Sequence, residues 1–339
     1  MRKTTNLITG IGGFVASHLA DYLLEQGEVV YGTCRWIEDQ SRINHLKANP
    51  NFHLVPMDLN DLSSCIKAIE EVVPDYIFHL AAQSYVNDSF RYPEETLRTN
   101  IIGTYNLLEA VRLLRDSQIS QLNSDEGYDW DPVIHVCSSS EVYGIVKSEE
   151  LPIKESQPFR PANPYGVSKV GEDMLALMYW QNFGIKTIRT RMFTHTGPRR
   201  TMMSAESHFA KQIAKIEKGL QEPIVYHGNL NSLRTWADVR DAVKAYYLLV
   251  HKCPPGEVYN IGGNTQKTVG EMLDYLISLS SAKDKIIKKM DPVLLRPNDV
   301  TLQVPDSSKF MNETGWKPEI PFEKTMEDLL NWWREYVGR

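Results

Sequence analysis

The 339-residue sequence predicts an α/β protein built on a doubly wound parallel sheet, with a smaller, discontinuous α/β lobe beside it. Three observations predict this. Short, near-continuous apolar runs alternate with helical periodicity through the first half, as strands buried on both faces by helices require. A glycine turn joins the first such run to the first helix. After about Thr194 the alternation breaks, then briefly resumes.

In chain order, residues 6–9 read as a strand and 15–26 as an amphipathic helix closed by Gly27. Further strands are expected at 29–33, 53–56, 76–80 and 133–137, with helices at 62–73 and 97–114. The polar stretch 116–131 reads as a surface loop. Beyond Thr194, helices are expected at 207–219 and 239–250 and a strand at 257–261, with helices and irregular chain over 265–297. Residues 1–193 are therefore expected to form the first domain, joined by a segment returning at about 235–263. Residues 194–234 and 264–339 should belong mainly to the smaller lobe, with a ligand in the cleft between the lobes.

Composition narrows the function classes. Hydrophobic residues make up 42% and charged residues 24%, ordinary for a folded soluble domain. A net charge of -6 argues against a general nucleic-acid binder, which needs excess Lys and Arg to neutralise phosphates. Cys34, Cys65, Cys137 and Cys253 form no CxxC pair, so neither a metal site nor a disulfide framework is expected. No apolar run is long enough to span a membrane. The N-terminus enters a strand pattern almost at once, leaving no room for a signal peptide, so a cytoplasmic location is expected.

Gly10-Ile11-Gly12-Gly13 follows a strand and opens a helix, the context in which glycines let backbone approach a pyrophosphate at a helix N-terminus. Ala16 stands where a third glycine often falls. Gly10, Gly12, Gly13, Phe14 and Val15 are the expected cradle of a Rossmann-type dinucleotide site. The second strand ends in Cys34-Arg35-Trp36 with no carboxylate before Glu38. An acidic residue there would hold a ribose 2′-hydroxyl, whereas Arg35 suits a 2′-phosphate, so NADP is expected. Asp58 and Leu59 after the third strand, and Leu80, Ala81 and Ala82 after the fourth, are further expected cofactor contacts, as are Tyr165 and Lys169, the lysine on the nicotinamide ribose.

Tyr165 and Lys169 lie one helical turn apart. A tyrosine is a weak base at its ordinary pKa of about 10, and a neighbouring ammonium favours the phenolate. Ser139 and Glu141, two residues apart at a strand end, should point the same way and add a hydroxyl and a carboxylate for acid–base work.

These motifs resemble the extended short-chain dehydrogenase/reductases, and among them the GDP-mannose 4,6-dehydratases. The likeness rests on Thr9–Phe14, on His79–Ser84, on Ser138–Gly144 and on Tyr165 with Lys169. It extends through His195–Arg200, Arg234–Asp241 and Arg296–Val300. The resemblance implies that Tyr165 deprotonates a sugar C4 hydroxyl while hydride passes to the cofactor. Glu141 then removes the C5 proton and assists loss of water from C6, and the hydride returns to C6. It implies cofactor contacts from His195 and Arg200. It also implies substrate contacts from Ser84, Asn163, Thr194, Arg200, Arg234, Arg296 and Asp299. Thr194 replaces an asparagine usual in the family, so GDP-manno-heptose stands beside GDP-mannose as the expected substrate. A 4-epimerase or 4-ketoreductase shares the Tyr–Lys pair and is the alternative reading. A homodimer or homotetramer is the implied assembly.

Overall fold

The computed structural model describes residues 2–35, 39–121, 130–296 and 298–338. The chain opens with β1 (Thr5–Thr9), α1 (Phe14–Glu25), β2 (Val29–Cys34), β3 (Phe52–Pro56), α2 (Leu62–Val72) and β4 (Tyr76–His79). Two short helices, α3 (Val86–Arg91) and α4 (Pro93–Leu97), lead through a π turn at Arg98–Ile102 into α5 (Gly103–Gln121). Then come β5 (Val133–Ser139), α6 (Pro164–Phe183) and β6 (Thr187–Met192), followed by β7 (His195–Thr196), α7 (Ala205–Glu217) and β8 (Ile224–His227). After β9 (Leu233–Asp238) the chain forms α8 (Val239–Lys252) and β10 (Val258–Ile261). It ends with β11 (Thr265–Thr268), α9 (Val269–Ser278), β12 (Ile287–Met290), β13 (Leu302–Gln303), α10 (Ser308–Thr314) and α11 (Phe322–Tyr336).

Seven parallel strands make the large sheet, in the order β3-β2-β1-β4-β5-β6-β10. Its order reverses between β1 and β4, where the carboxyl ends leave a crevice. Alternation along β1 shows how both faces are buried: Ile8 packs with α1 and α8 residues such as Leu19, Leu23, Tyr246 and Leu249. Leu7 packs on the opposite face with Ile69, Leu108, Val111 and Ala176. Among the described residues, no helix is long and apolar enough to cross a membrane.

The smaller lobe has its own core, in which α7, α9 and α11 bury Phe209, Ile213, Met272, Leu276, Met326, Leu330 and Trp333. Its four-stranded sheet consists of β7, β9, β11 and β13, and β8 pairs with β12. Strand β9 pairs with β7, β11 and β13, so the return to the large sheet begins at Val239, not at about residue 235. Phe310 of α10 and Trp316 pack into the large-sheet core, so the segment after residue 264 is shared between the lobes.

Two further expectations differ. The helix expected at 97–114 is three pieces, α4, the π turn and α5, and α5 continues to Gln121. Residues 116–121 are thus helical, while 122–129 of the expected loop lie outside the described residues. Strand β6 had no apolar signal, because it reads Thr-Ile-Arg-Thr-Arg-Met. It is nevertheless wholly buried, since Arg189 and Arg191 both pair with Asp173 of α6, at 3.0 and 2.8 Å. Charges buried in this way persist only when paired and hydrogen-bonded.

Candidate active site

The crevice begins at the glycine turn. Gly10 has φ +69°, and a Cβ there would lie 2.9 Å from the Ala81 Cα. A Cβ on Gly12 would lie 2.6 Å from the Asp39 carbonyl oxygen. Gly13 caps α1 without a side-chain hydrogen bond, so the first turn keeps its N–H groups clear of side-chain oxygens. Backbone this bare at a helix N-terminus suits a pyrophosphate. Phe14 and Val15 open α1 above it.

Across the switch point, the Thr9 hydroxyl accepts from the Leu80 and Ala81 N–H groups, both at 3.0 Å. Its own proton then goes to Nδ1 of His79, which in turn donates from Nε2 to the Thr104 hydroxyl at 2.9 Å. This relay needs a neutral imidazole, and burial pushes His79 down to about 3. The Leu80–Ala82 backbone is thereby fixed beside the glycine turn. Asp58 is committed locally, accepting from the Asn60 N–H at 2.9 Å, and Leu59 is buried against Gly103. Arg35 is exposed just after β2. Glu38 and Trp36 lie outside the described residues.

Arg42, which the motif reading missed, reaches into the same region. It donates to the carbonyls of Gly12 at 3.3 Å and Arg199 at 3.0 Å. Arg199 itself sits at φ +67°, a costly conformation for a residue with a Cβ. The His195 ring stacks on Phe14 with centroids 6.1 Å apart, and the Arg200 guanidinium lies 5.0 Å from the Phe14 ring centroid. Both side chains expected near the cofactor are therefore gathered over the start of α1.

The acid–base group sits where β5 ends. Ser139 closes the strand, and its hydroxyl accepts from the Glu141 N–H at 3.2 Å, capping a 3-10 turn. Glu141 is thus off the strand, and this cap, rather than strand alternation, brings the two together. Both Glu141 oxygens accept amide protons, from Asn163 at 2.8 Å and from Gln303 at 3.0 Å. Asn163 also caps α6, its Oδ1 accepting from the Gly166 N–H at 2.7 Å, which leaves its NH2 facing Glu141. Gln303 carried no recognisable motif and was missed.

Tyr165 stands in the first turn of α6, near enough to the Ser139 hydroxyl for that group to favour its phenolate. Burial raises the phenol, and the Lys169 ammonium, 5.8 Å from the ring centroid, opposes that rise. Lys169 donates to the Cys137 carbonyl and to Glu172, both at 2.9 Å. Asn100, in the π turn, joins the Gln83 backbone to Ser168 of α6 through bonds of 2.8 to 3.0 Å, fixing α6 against the crevice.

Arg234, Arg296 and Asp299 stand on the facing lobe. Arg234 and Arg296 each lie 3.9 Å from the same Asp299 oxygen, and Asn229 and Ser232 hold the other oxygen at 2.7 and 2.9 Å. Arg234 is largely buried; burial pulls it below the usual arginine range, against Glu141 and Asp299. Arg200 is bonded to Ser204 and to buried Glu206. Ser84 is exposed after β4. Thr194 is half-buried where its carbonyl accepts from Ala237. Among the described residues, no cluster of His, Cys, Asp and Glu could hold a metal ion.

A glycine turn at the switch point, with a Tyr–Lys pair on the helix that follows β5, defines a nicotinamide-dinucleotide enzyme of the extended short-chain dehydrogenase/reductase class. The model of one family, described as GDP-mannose 4,6 dehydratase, matches residues 7–329. A GDP-mannose 4,6-dehydratase from Yersinia enterocolitica is 32% identical over 358 positions, covering 96% of this chain and 92% of that protein. The solved structure of RMD from Pseudomonas aeruginosa complexed with NADPH matches with TM-score 0.79 at 28% identity, covering 99% of this chain and 100% of that one. DesIV, a dTDP-glucose 4,6-dehydratase from Streptomyces venezuelae with NAD and TYD bound, matches with TM-score 0.81 at 25% identity, covering 99% and 98%. The chain belongs to the GDP-mannose 4,6 dehydratase family.

Proposed function

We propose that the protein is an NADP-dependent 4,6-dehydratase of a GDP-linked sugar, GDP-mannose or GDP-manno-heptose. The observation that carries this reading is the placement of Glu141. A carboxylate held by amides from both lobes, next to the Ser139–Tyr165 pair, adds an acid–base group that oxidation or reduction at C4 alone does not need. The bare glycine turn, with Gly10 and Gly12 where no Cβ fits, suits the dinucleotide. Bound there, a nicotinamide dinucleotide supplies a hydride store, filled from C4 and emptied at C6.

The chain's own residues do the rest. Tyr165 takes the proton of the C4 hydroxyl, and Lys169 stabilises the phenolate that does so. Ser139 holds the C4 oxygen by hydrogen bond. The C4 ketone acidifies the C5 proton, which Glu141 removes; Glu141 then gives a proton to the departing C6 hydroxyl, so water leaves. The C5–C6 double bond that remains is saturated by the hydride at C6 and by a proton at C5, which balances the proton that Tyr165 took from the C4 hydroxyl. The result is a 4-keto-6-deoxy sugar still attached to its nucleotide, with no net redox change. Arg234 and Arg296, converging on Asp299, suit the diphosphate, because guanidinium forks match phosphate oxygens. Arg35 favours NADP through the 2′-phosphate. The exposed Ile102, Tyr105, Val167 and Met174 of the α5–α6 face support a homodimer formed by a second copy, and a cytoplasmic location goes with this reading.

The test is incubation of the purified protein with GDP-mannose and with GDP-manno-heptose, without added reductant, read by mass spectrometry. The expected product is lighter by one water. An epimer of unchanged mass, or turnover that consumes NADPH stoichiometrically, would overturn the dehydratase reading.

A further inference from the structure

We propose that Glu172 is a positioning residue of this reaction, holding the Lys169 ammonium in place and setting how much of its charge reaches the Tyr165 phenol. The inference rests on the reading of Tyr165 and Lys169 as the proton-transfer pair.

The geometry comes from α6. Tyr165, Lys169 and Glu172 occupy positions i, i+4 and i+7 of one helix and so share a face. Lys169 spends two of its three N–H bonds on the Cys137 carbonyl and on Oε2 of Glu172, each at 2.9 Å. Glu172 is 1% exposed, and its other oxygen has no hydrogen-bond partner among the described residues. A buried carboxylate with one bare oxygen is a poor way to stabilise a helix, and an apolar side chain of similar size usually serves as well or better. What the carboxylate has instead is direct contact with the lysine beside the reacting phenol.

The other charged groups near the pair are accounted for. Asp173, next to Glu172, is neutralised by Arg189 and Arg191 of β6. His79 and His135, from β4 and β5, face Lys169 but are pushed down to about 3 by burial and are neutral near pH 7. Cys137 of β5 and Tyr246 of α8 are raised by burial and remain protonated. Lys169 and Glu172 therefore decide the local field. Burial pushes the Glu172 carboxyl up to about 7, against the pull of Lys169. Burial alone would lower Lys169; Glu172 foremost, with Tyr165 and Cys137, raises it above the ordinary lysine value instead. For Tyr165, burial raises the phenol, Lys169 lowers it and Glu172 raises it again. An ionised Glu172 thus shields the lysine and keeps the phenol protonated; a neutral side chain there exposes the phenol to the full ammonium.

The experiment compares the holoenzyme with Glu172→Gln and Glu172→Met. The phenolate of Tyr165 is titrated by near-ultraviolet difference absorbance, with Tyr165→Phe as the blank, and the pH dependence of cofactor reduction by GDP-mannose is measured alongside. Both variants should move the phenol titration, and the acidic limb of the rate profile, down by about one pH unit, the scale of a neighbouring charge in a partly buried site. A merely structural glutamate would lower the rate without moving either titration, and that result overturns the proposal. So does failure of both variants to fold, since it would mean that the carboxylate serves the helix. Failure of the underlying reading is recognised separately: Tyr165→Phe would then keep its turnover.

Discussion

Gln303 of the smaller lobe donates its amide to Oε1 of Glu141 on the large domain, at 3.0 Å. Asn163 donates to the other oxygen from the start of α6. The carboxylate is therefore aimed by both lobes at once, and its orientation depends on their closing against each other. Gln303→Leu leaves one oxygen without its amide and frees the group to rotate. The expected outcome is a loss of kcat of about tenfold with cofactor affinity unchanged, in line with misplacement of a positioned acid–base group. Steady-state kinetics alongside a cofactor titration checks this, and an unaltered kcat would remove Gln303 from the site.

The glycine turn gives a sharper test of the cofactor site. Gly10→Ala must place a Cβ in left-handed backbone and 2.9 Å from the Ala81 Cα. The conformational part alone costs about 1–2 kcal/mol, before the contact is counted. Cofactor affinity, measured by fluorescence titration, should fall by at least about tenfold, a difference of 1.4 kcal/mol. Equal affinity in the variant would show that the dinucleotide lies elsewhere.

Cofactor choice turns on Arg35. Arg35→Ala should weaken NADP binding while leaving NAD binding nearly as before, because only the 2′-phosphate is lost as a partner. Isothermal titration with both nucleotides decides it. Parallel losses for the two would point to a general role at the end of β2 rather than recognition of the phosphate.

Four histidines make the fold sensitive to acid. Burial lowers His18 and His195 to about 4, and His79 and His135 to about 3. Their unfolded value is about 6.5, so below it the unfolded chain binds more protons and stability falls as pH falls. The contribution is complete above about pH 6.5 and is lost progressively towards about pH 3–4. At about pH 5.5 each such histidine costs about 1 kcal/mol. Thermal unfolding followed from pH 7.5 to 5.5 should show the melting temperature dropping, and His18→Gln should flatten part of that drop.

The α5–α6 face gives a prediction about assembly. Val167 and Met174 are 45% and 37% exposed, seven residues apart on α6, and Ile102 and Tyr105 lie on the adjoining helical stretch. Val167→Asp with Met174→Glu should leave a monomer by light scattering, where the unaltered protein is expected to run as a dimer. An unchanged mass would place any self-association on another surface.

Much of the fold was readable because its strands are apolar and its turns carry glycine. β1, β2, β4 and β5 and the helices α1, α2 and α8 follow from that pattern. Strand β6 was not, since its burial depends on Asp173, a partner on another element that no local window contains. The short strands of the smaller lobe are equally silent: β11 reads Thr-Gln-Lys-Thr and β12 lies exposed. The site divides in the same way. Gly10, Ser139, Tyr165 and Lys169 stand in recognisable motifs, whereas Gln303, Arg42 and Glu172 matter through contacts made only after folding.

The interleaving of the two lobes has a consequence for how such a chain is made and altered. As it leaves the ribosome, the large sheet remains one strand short, with β6 as an open edge, until Ile261 has emerged. By then most of β7 to β9 is already waiting for partners that come later still, from β11, β13 and α11. Neither lobe is a contiguous block of gene. A recombination event that exchanged the substrate side would have to cut the reading frame in several places. New sugar preferences on this scaffold are therefore expected to accumulate by single replacements, at positions such as Thr194, rather than by the trading of whole modules.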